Sequence, residues 1–417
     1  MSVITDVTRM WMTRSTKPFT FLNEYDEILD YANCDNLGLY VHIPFCEKIC
    51  SFCPYCKVLY SKETCDAYID ALLQEIHMVG SQYSGKKQVT SLYFGGGTPA
   101  LAVDRLEEII EAIKKHFIIT EGIGLELHPR NVNIEMLTKL RTAGITKISI
   151  GIQSFQEKYQ SILGRDVVDM EQMAAALEGG EFETVSMDFI FALPNQTYLD
   201  LKKDIDLAFS HGANHVAIYP FIDFTFTSSK VKVMEKKEKR KLLDEITEYC
   251  MQQGYHRSSI WTFSSVKEAK YSSMTRDNFL GFGCSATTLL RDQFKINTFS
   301  VEEYCKRVTE GKLPTSLTIR FTERQRMIYY LFWTAYSTRV DSRDFEKFFG
   351  KPLRKVYGFE LWLAKMLGFV KEEKGIYEMT LKGAFYYHYY ENFYTLAYID
   401  KMWGIMRKEA FPEKIEL

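Results

Sequence analysis

Apolar positions recur along the chain in alternating blocks of two kinds. Leu37–Ile43 (LGLYVHI) is an apolar run of strand length. Past a cysteine-rich loop, Cys65, Tyr68, Ile69, Leu72, Leu73 and Ile76 recur every three or four residues, which predicts an amphipathic helix. Val89–Phe94 predicts a strand running into Gly95–Gly97, and Leu106, Ile109, Ile110, Ile113 and Phe117 predict a helix entered through a capping box of Asp104 and Glu107. Further strands are predicted near Ile123–Leu127, Thr146–Ile150, Val185–Ile190 and His215–Tyr219, with helices near 133–143, 169–178 and 198–211 between them.

Six strands interleaved with helices imply a parallel α/β sheet, either doubly wound or a partial (β/α) barrel. In both, ligand chemistry gathers at the carboxyl ends of the strands. The cysteine loop, the Gly95–Thr98 turn, Glu126 and Gln153 all fall at or near such ends. The alternation stops near residue 225. Lys230–Lys241 (KVKVMEKKEKRK) has seven basic and two acidic residues and reads as a solvated face leading into a helix near 238–252. From about 320, helices near 322–336, 342–349 and 354–367, a hairpin at 368–380 and a last helical segment suggest a winged-helix-like unit. The expected division is an arm over 1–36, a core over 37–225, an extension and connection over 226–319, and a C-terminal substrate domain over 320–417.

Length and composition fit a soluble globular protein of two domains, with 46% hydrophobic and 25% charged residues in 417. A net charge of −2 gives no footprint for a nucleic-acid partner. No run approaches the roughly 18 apolar residues of a membrane span, and the start lacks a secretory pattern, so a cytoplasmic protein is expected.

Nine cysteines, an odd number, argue against a disulfide scaffold, and four of them fall within residues 46–56. Cys46, Cys50 and Cys53 give C-x3-C-x2-C, three thiolates that suit an iron–sulfur cube with one iron left open. Cys56 extends the run by another C-x2-C, and is read as a non-ligand near the cofactor. A structural zinc site is disfavoured because such sites pair two distant C-x2-C knuckles, and no second, distant knuckle exists. Cys34, Cys65, Cys250, Cys284 and Cys305 are isolated and read as packing residues.

With Phe52 before the third cysteine, this motif resembles that of the radical S-adenosylmethionine (SAM) superfamily. Tyr40-Val-His42-Ile-Pro-Phe-Cys46, Gly95-Gly96-Gly97-Thr98-Pro99, Ile148–Phe155, Leu163-Gly164-Arg165 and Asp188 ahead of Leu193-Pro194 are similar to the branch of oxygen-independent coproporphyrinogen III dehydrogenase, the haem chaperone and the class C radical SAM methyltransferases. The resemblance implies a partial (β/α)6 barrel and two cofactors, a [4Fe–4S] cluster on Cys46, Cys50 and Cys53 and SAM. It also implies SAM contacts from Tyr40, Phe52, Gly96, Gly97, Thr98, Glu126, Gln153, Arg165 and Asp188, and an electron donor such as flavodoxin or ferredoxin. Departures include Lys147 where the branch usually has Arg, and Tyr55 where the dehydrogenase has a fourth cysteine.

Seven aromatics crowd residues 385–394, a domain core or a platform for a flat conjugated substrate. Tyr271–Asp277, followed by Gly281-Phe-Gly283, is a further candidate contact loop, its glycine-rich part implied by the family to lie near SAM. The favoured expectation is a class C-like methyltransferase acting on an sp2 carbon, with a second SAM bound. Its alternatives are a tetrapyrrole-modifying dehydrogenase and a haem-delivering protein.

Overall fold

A computed structural model describes residues 3–24, 26–266 and 277–417. Seven parallel strands form its centre: β1 (Leu37–Ile43), β2 (Leu92–Gly96), β3 (Ile123–Leu127), β4 (Lys147–Gln153), β5 (Thr184–Phe191), β6 (His215–Pro220) and β7 (Asn278–Phe282). β1 to β6 lie side by side in chain order, and β7 pairs with the outer edge of β1. A doubly wound sheet would reverse direction partway, so the unbroken order identifies barrel-type winding. The winding does not close among the described residues. Antiparallel strands continue beyond both β6 and β7 into one sheet of 14 strands among the described residues.

The strands are covered on both faces, which is why they read as nearly continuous apolar runs. Helix α1 (Lys62–Gly80) starts at Ser61, whose hydroxyl accepts from the Thr64 N–H at 3.2 Å, and buries the predicted face of Cys65, Tyr68, Ile69, Leu72 and Ile76. Helix α2 (Val103–His116) differs from expectation. A 3-10 turn over Pro99–Ala102 delivers the chain into it, no side chain caps it, and Asp104 instead lies 3.6 Å from Lys139.

The basic run also departs from a purely solvated face. In α3 (Lys236–Gln252), Lys236 lies 3.3 Å from the ring centre of Tyr389 and Arg240 lies 4.6 Å from that of Phe385. Lys239 is only 8% exposed. Long cationic stems cover the aromatic surface of the C-terminal region here.

That region holds α4 (Glu323–Tyr336), helices Ser342–Phe349 and Leu353–Met366, and α5 (Leu381–Tyr394). A three-stranded antiparallel sheet of Arg339–Asp341, Ile376–Met379 and Val370–Glu373 completes the winged-helix-like arrangement. The N-terminal residues include a helix, Val3–Thr13, and a strand, Thr20–Leu22, that pairs with Lys414–Glu416 near the chain end. Among the described residues, no helix is long and apolar enough to cross a membrane.

Candidate cofactor and substrate site

After Ile43 the chain passes Pro44 into a short parallel pairing of Phe45–Cys46 with Val58–Leu59. The Val58 N–H donates to the Pro44 carbonyl at 2.8 Å and the Tyr60 N–H to the Cys46 carbonyl at 2.9 Å. These bonds close the cysteine loop at its base, and Cys46, Cys50 and Cys53 are free, partly buried thiols facing one large cavity. Burial pushes the Cys46 thiol up to about 11, with Cys53 and Cys50 adding to the rise, while the Thr98 hydroxyl 3.9 Å from its sulfur opposes it. Three thiols gathered on one loop suit a cationic iron centre that takes all three as thiolates.

The glycine turn is folded onto that loop. The Gly97 N–H donates to the Ile43 carbonyl at 2.8 Å and the Thr98 N–H to the Phe45 carbonyl at 2.7 Å. A Cβ on Gly97 would stand 2.5 Å from the Phe45 carbonyl oxygen. Gly96 has φ +120°, and a Cβ there would stand 2.7 Å from the His42 ring. Glycine is therefore required for close approach, whatever else the turn binds.

Neighbouring strand ends supply a polar floor. The Gly96 N–H donates to Glu126 Oε2 at 3.2 Å. Burial, and then the charge of Asp188, push the Glu126 carboxyl up to about 7. Asp188 accepts from the hydroxyls of Ser149 at 2.7 Å and Ser186 at 3.2 Å, and burial still holds it up at about 6. Gln153 sits at φ +70° beside the register shift between β4 and β5. The Arg165 guanidinium, half-buried, donates to the Gly151 carbonyl at 2.9 Å and faces Cys50, Cys53 and Cys46, whose charges would support its own. A cation aimed at a thiolate trio suits an anionic cluster and the carboxylate of a chelated amino acid. Tyr40 is half-buried, with its hydroxyl 3.1 Å from His42 Nδ1, and Phe52 packs against Tyr159, Leu163, Ile190, Leu193 and Phe221.

All the site residues expected from the sequence line this cavity, whose volume is about 1790 Å³. Its other end is walled by rings of α4 and α5, including Tyr329, Trp333, Tyr387, Tyr390 and Tyr394, so one face of the aromatic run is wall while Phe385 is buried in packing. Several lining residues were not expected: Ser149, His128, Trp261 and Glu391. Burial, with Arg165 and Arg130 nearby, pushes His128 down to about 3, so its ring is neutral. Of the candidate contact loop, residues 271–276 lie outside the described residues. Gly281 and Gly283 do not reach the cavity: a Cβ on Gly281 would collide with the Thr287 backbone, and the Gly283 N–H donates to buried Glu75 at 2.7 Å.

Residues 40–208 match the Radical SAM superfamily. Among curated proteins, the chain is 24% identical over 332 residues to the haem chaperone HemW of Bacillus subtilis, covering 75% of this chain and 87% of that one. It is 27% identical over 316 residues to the oxygen-independent coproporphyrinogen III oxidase of Cereibacter sphaeroides, covering 69% and 70%. Among solved structures, the Escherichia coli coproporphyrinogen III oxidase HemN shares the fold at a TM-score of 0.74 and 24% identity, covering 88% of this chain and 93% of that one. With the cysteine loop, the turn above it and the open β/α winding already in place, residues 40–208 form a radical SAM domain, whose cofactors are a [4Fe–4S] cluster and SAM, and the chain around it is similar to these oxidases and chaperones.

Proposed function

We propose that this radical SAM enzyme acts on a tetrapyrrole, in an oxidative reaction like that named for its coproporphyrinogen oxidase relatives. The observation that carries the reading is the single cavity joining the cysteine loop to the aromatic wall. At about 1790 Å³ it exceeds the roughly 300–1,000 Å³ of ordinary ligand pockets and has room for SAM and a large flat partner together. The haem chaperone and the coproporphyrinogen oxidase both support a tetrapyrrole, and neither supports the methyl transfer expected from the sequence.

In this reading Cys46, Cys50 and Cys53 hold the cluster. Bound together, cluster and SAM supply reductive cleavage of SAM and abstraction of a substrate hydrogen. Arg165 pairs with the SAM carboxylate, and Glu126, ionised, accepts from its ribose or ammonium group. The Gly96–Thr98 turn lets backbone approach the ligand, while Tyr40, Gln153 and Asp188 complete the polar floor. Rings on α4 and α5 stack the substrate and exclude water from the reacting carbon. An electron donor of the flavodoxin or ferredoxin class and a cytoplasmic setting go with this reading.

The test is anaerobic reconstitution with dithionite and SAM, supplying coproporphyrinogen III or haem, and mass spectrometry of all products. 5′-Deoxyadenosine formed together with a decarboxylated porphyrinogen is the expected result. S-adenosylhomocysteine with a methylated tetrapyrrole would restore methyl transfer. Tight haem binding without SAM cleavage would favour the chaperone reading, to which the 87% coverage of the Bacillus protein lends weight.

A further inference from the structure

Three buried side chains outside the expected cluster ligands converge from separate segments. His42 lies near the end of β1, Cys56 lies where the cysteine loop closes, and Cys284 follows β7. A ring nitrogen of His42 and both sulfurs lie within 4.8 Å of one another, and all three residues are buried. Both cysteines are free, and the Cys56 thiol donates to the Phe299 carbonyl at 3.2 Å. His42, Cys56 and the neighbouring Ser285 face the cavity.

We propose that His42, Cys56 and Cys284 form a Cys2His site for a zinc-type divalent cation, with its fourth position open toward the cavity beside Ser285. Two sulfurs and one imidazole nitrogen are a donor set that zinc prefers, and three protein ligands with one open position is the pattern of its reactive sites. With metal–sulfur bonds of about 2.3 Å and metal–nitrogen bonds of about 2.0 Å, tetrahedral ligand atoms stand roughly 3.5–3.8 Å apart, so loading shortens each separation by no more than about 1.3 Å. Loading releases one proton from each thiol. The dication and two thiolates then leave the buried site neutral, which avoids the cost of isolated buried charge.

The His42 ring has a polar neighbour at each of its nitrogens. Its Nδ1 lies 3.1 Å from the Tyr40 hydroxyl, and its Nε2 lies 3.0 Å from the Cys56 carbonyl and 3.3 Å from Ser285 Oγ. Without the cation, Nε2–H donates to the carbonyl and Tyr40 donates to Nδ1. With it, the Cys56 carbonyl turns away from Nε2, the proton sits on Nδ1 and is donated to Tyr40, and the Nε2 lone pair faces the metal. Fixing a histidine ligand through its second nitrogen is general in metal sites. The cation would pin the base of the cysteine loop to β1 and β7, independently of the cluster and of the reaction proposed above.

Full-length protein produced with zinc, reconstituted with iron and sulfide and freed of loose metal, is expected to hold about one zinc besides the cluster iron by elemental analysis. Cys284→Ala is expected to lose that zinc and keep the iron. No zinc in the unaltered protein, or equal zinc in the variant, overturns the site. If the variant loses its iron and its circular dichroism as well, the unaltered protein still decides through alkylation mapped by mass spectrometry. Zinc added beforehand is expected to protect the Cys56 and Cys284 peptides. Unchanged labelling, or a Cys56–Cys284 disulfide peptide in place of protection, overturns the proposal.

Discussion

The two ends of the cavity are built from different material. At the strand end, position is set by backbone: the Gly97 and Thr98 N–H groups bond to the start of the cysteine loop, and Glu126 and Asp188 each have hydrogen-bond donors. At the helical end, position is set by rings packed on rings, with Phe332 stacked on Tyr387 at 5.1 Å between centres and Trp261 edge-on to Tyr336 at 5.3 Å. Polar atoms there are left over: Trp261 Nε1 and Glu391 Oε2 are buried without hydrogen-bond partners among the described residues. Each such atom costs about 1–3 kcal/mol, and native proteins keep few of them. A strand end tied down by its own backbone suits a cofactor shared across a superfamily. A wall of side chains with unspent polar atoms suits a substrate that differs between members.

The sharpest way to break this comparison is at the loop. Cys50→Ala is expected to reduce iron to background and to lower SAM cleavage more than about 100-fold, since even outer-shell partners of metal ligands cost 10- to 100-fold. Iron analysis and 5′-deoxyadenosine formation check it, and retained iron would remove Cys50 from the ligand set. Arg165→Met comes next. Loss of a charge-assisted bond worth about 1.5–3 kcal/mol should weaken SAM binding roughly 10- to 100-fold while bound iron stays unchanged. Equal affinity would mean that Arg165 serves the cluster loop alone.

Much of the strand end was legible because it is local. The cysteine spacing, the glycine turn and the strand-end positions each occupy a few consecutive residues, and strands buried on both faces announce themselves as apolar runs. Contacts across strands were not legible. Ser149 meets Asp188 because β4 and β5 pair in a register that sets Ser149 opposite Ser186, and nothing near either serine signals it. β7 was missed because Asn278–Phe282 (NFLGF) is short and carries an internal glycine. The capping box belonged elsewhere: Thr197 with Asp200 and Thr322 with Gln325 both make one, whereas the Asp104–Glu107 spacing falls past a 3-10 turn that already delivers the chain into α2. At the helical end the aromatic run was visible, but which of its rings face the cavity depends on packing against α3 and α4.

A third prediction uses pH to separate a cofactor role for Glu126 from a structural one. With its carboxyl held up at about 7 in the folded protein, cofactor-free protein retains a proton that the unfolded chain has already lost. Its stability therefore falls as pH rises from the ordinary carboxyl range toward 7, and Glu126→Gln flattens that fall. SAM affinity runs the opposite way. An ionised Glu126 is the form that accepts hydrogen bonds from SAM, so affinity should rise up to about tenfold per pH unit below 7 and level off above it. Thermal melting and SAM titration across pH 5–8 test both slopes. A SAM affinity indifferent to pH in the unaltered protein would make Glu126 a packing residue of the strand end.

The smallest expected effect is the one that tests whether the two ends are separable. Tyr390 faces the cavity from α5 with its ring centre 6.4 Å from that of Phe332. Tyr390→Leu removes an aromatic contact worth about 0.5–1.5 kcal/mol, which predicts a roughly 2- to 10-fold rise in KM for the tetrapyrrole. Tyr390→Phe keeps the ring and should stay within about twofold if stacking rather than the hydroxyl is what the wall provides. Bound iron and the Kd for SAM should not move in either variant, because the strand end is held by its own backbone bonds and not by the rings across the cavity. If SAM binding weakens as much as tetrapyrrole binding, the aromatic wall helps to hold the cofactor as well, and the division of the cavity into a shared end and an adjustable end is wrong.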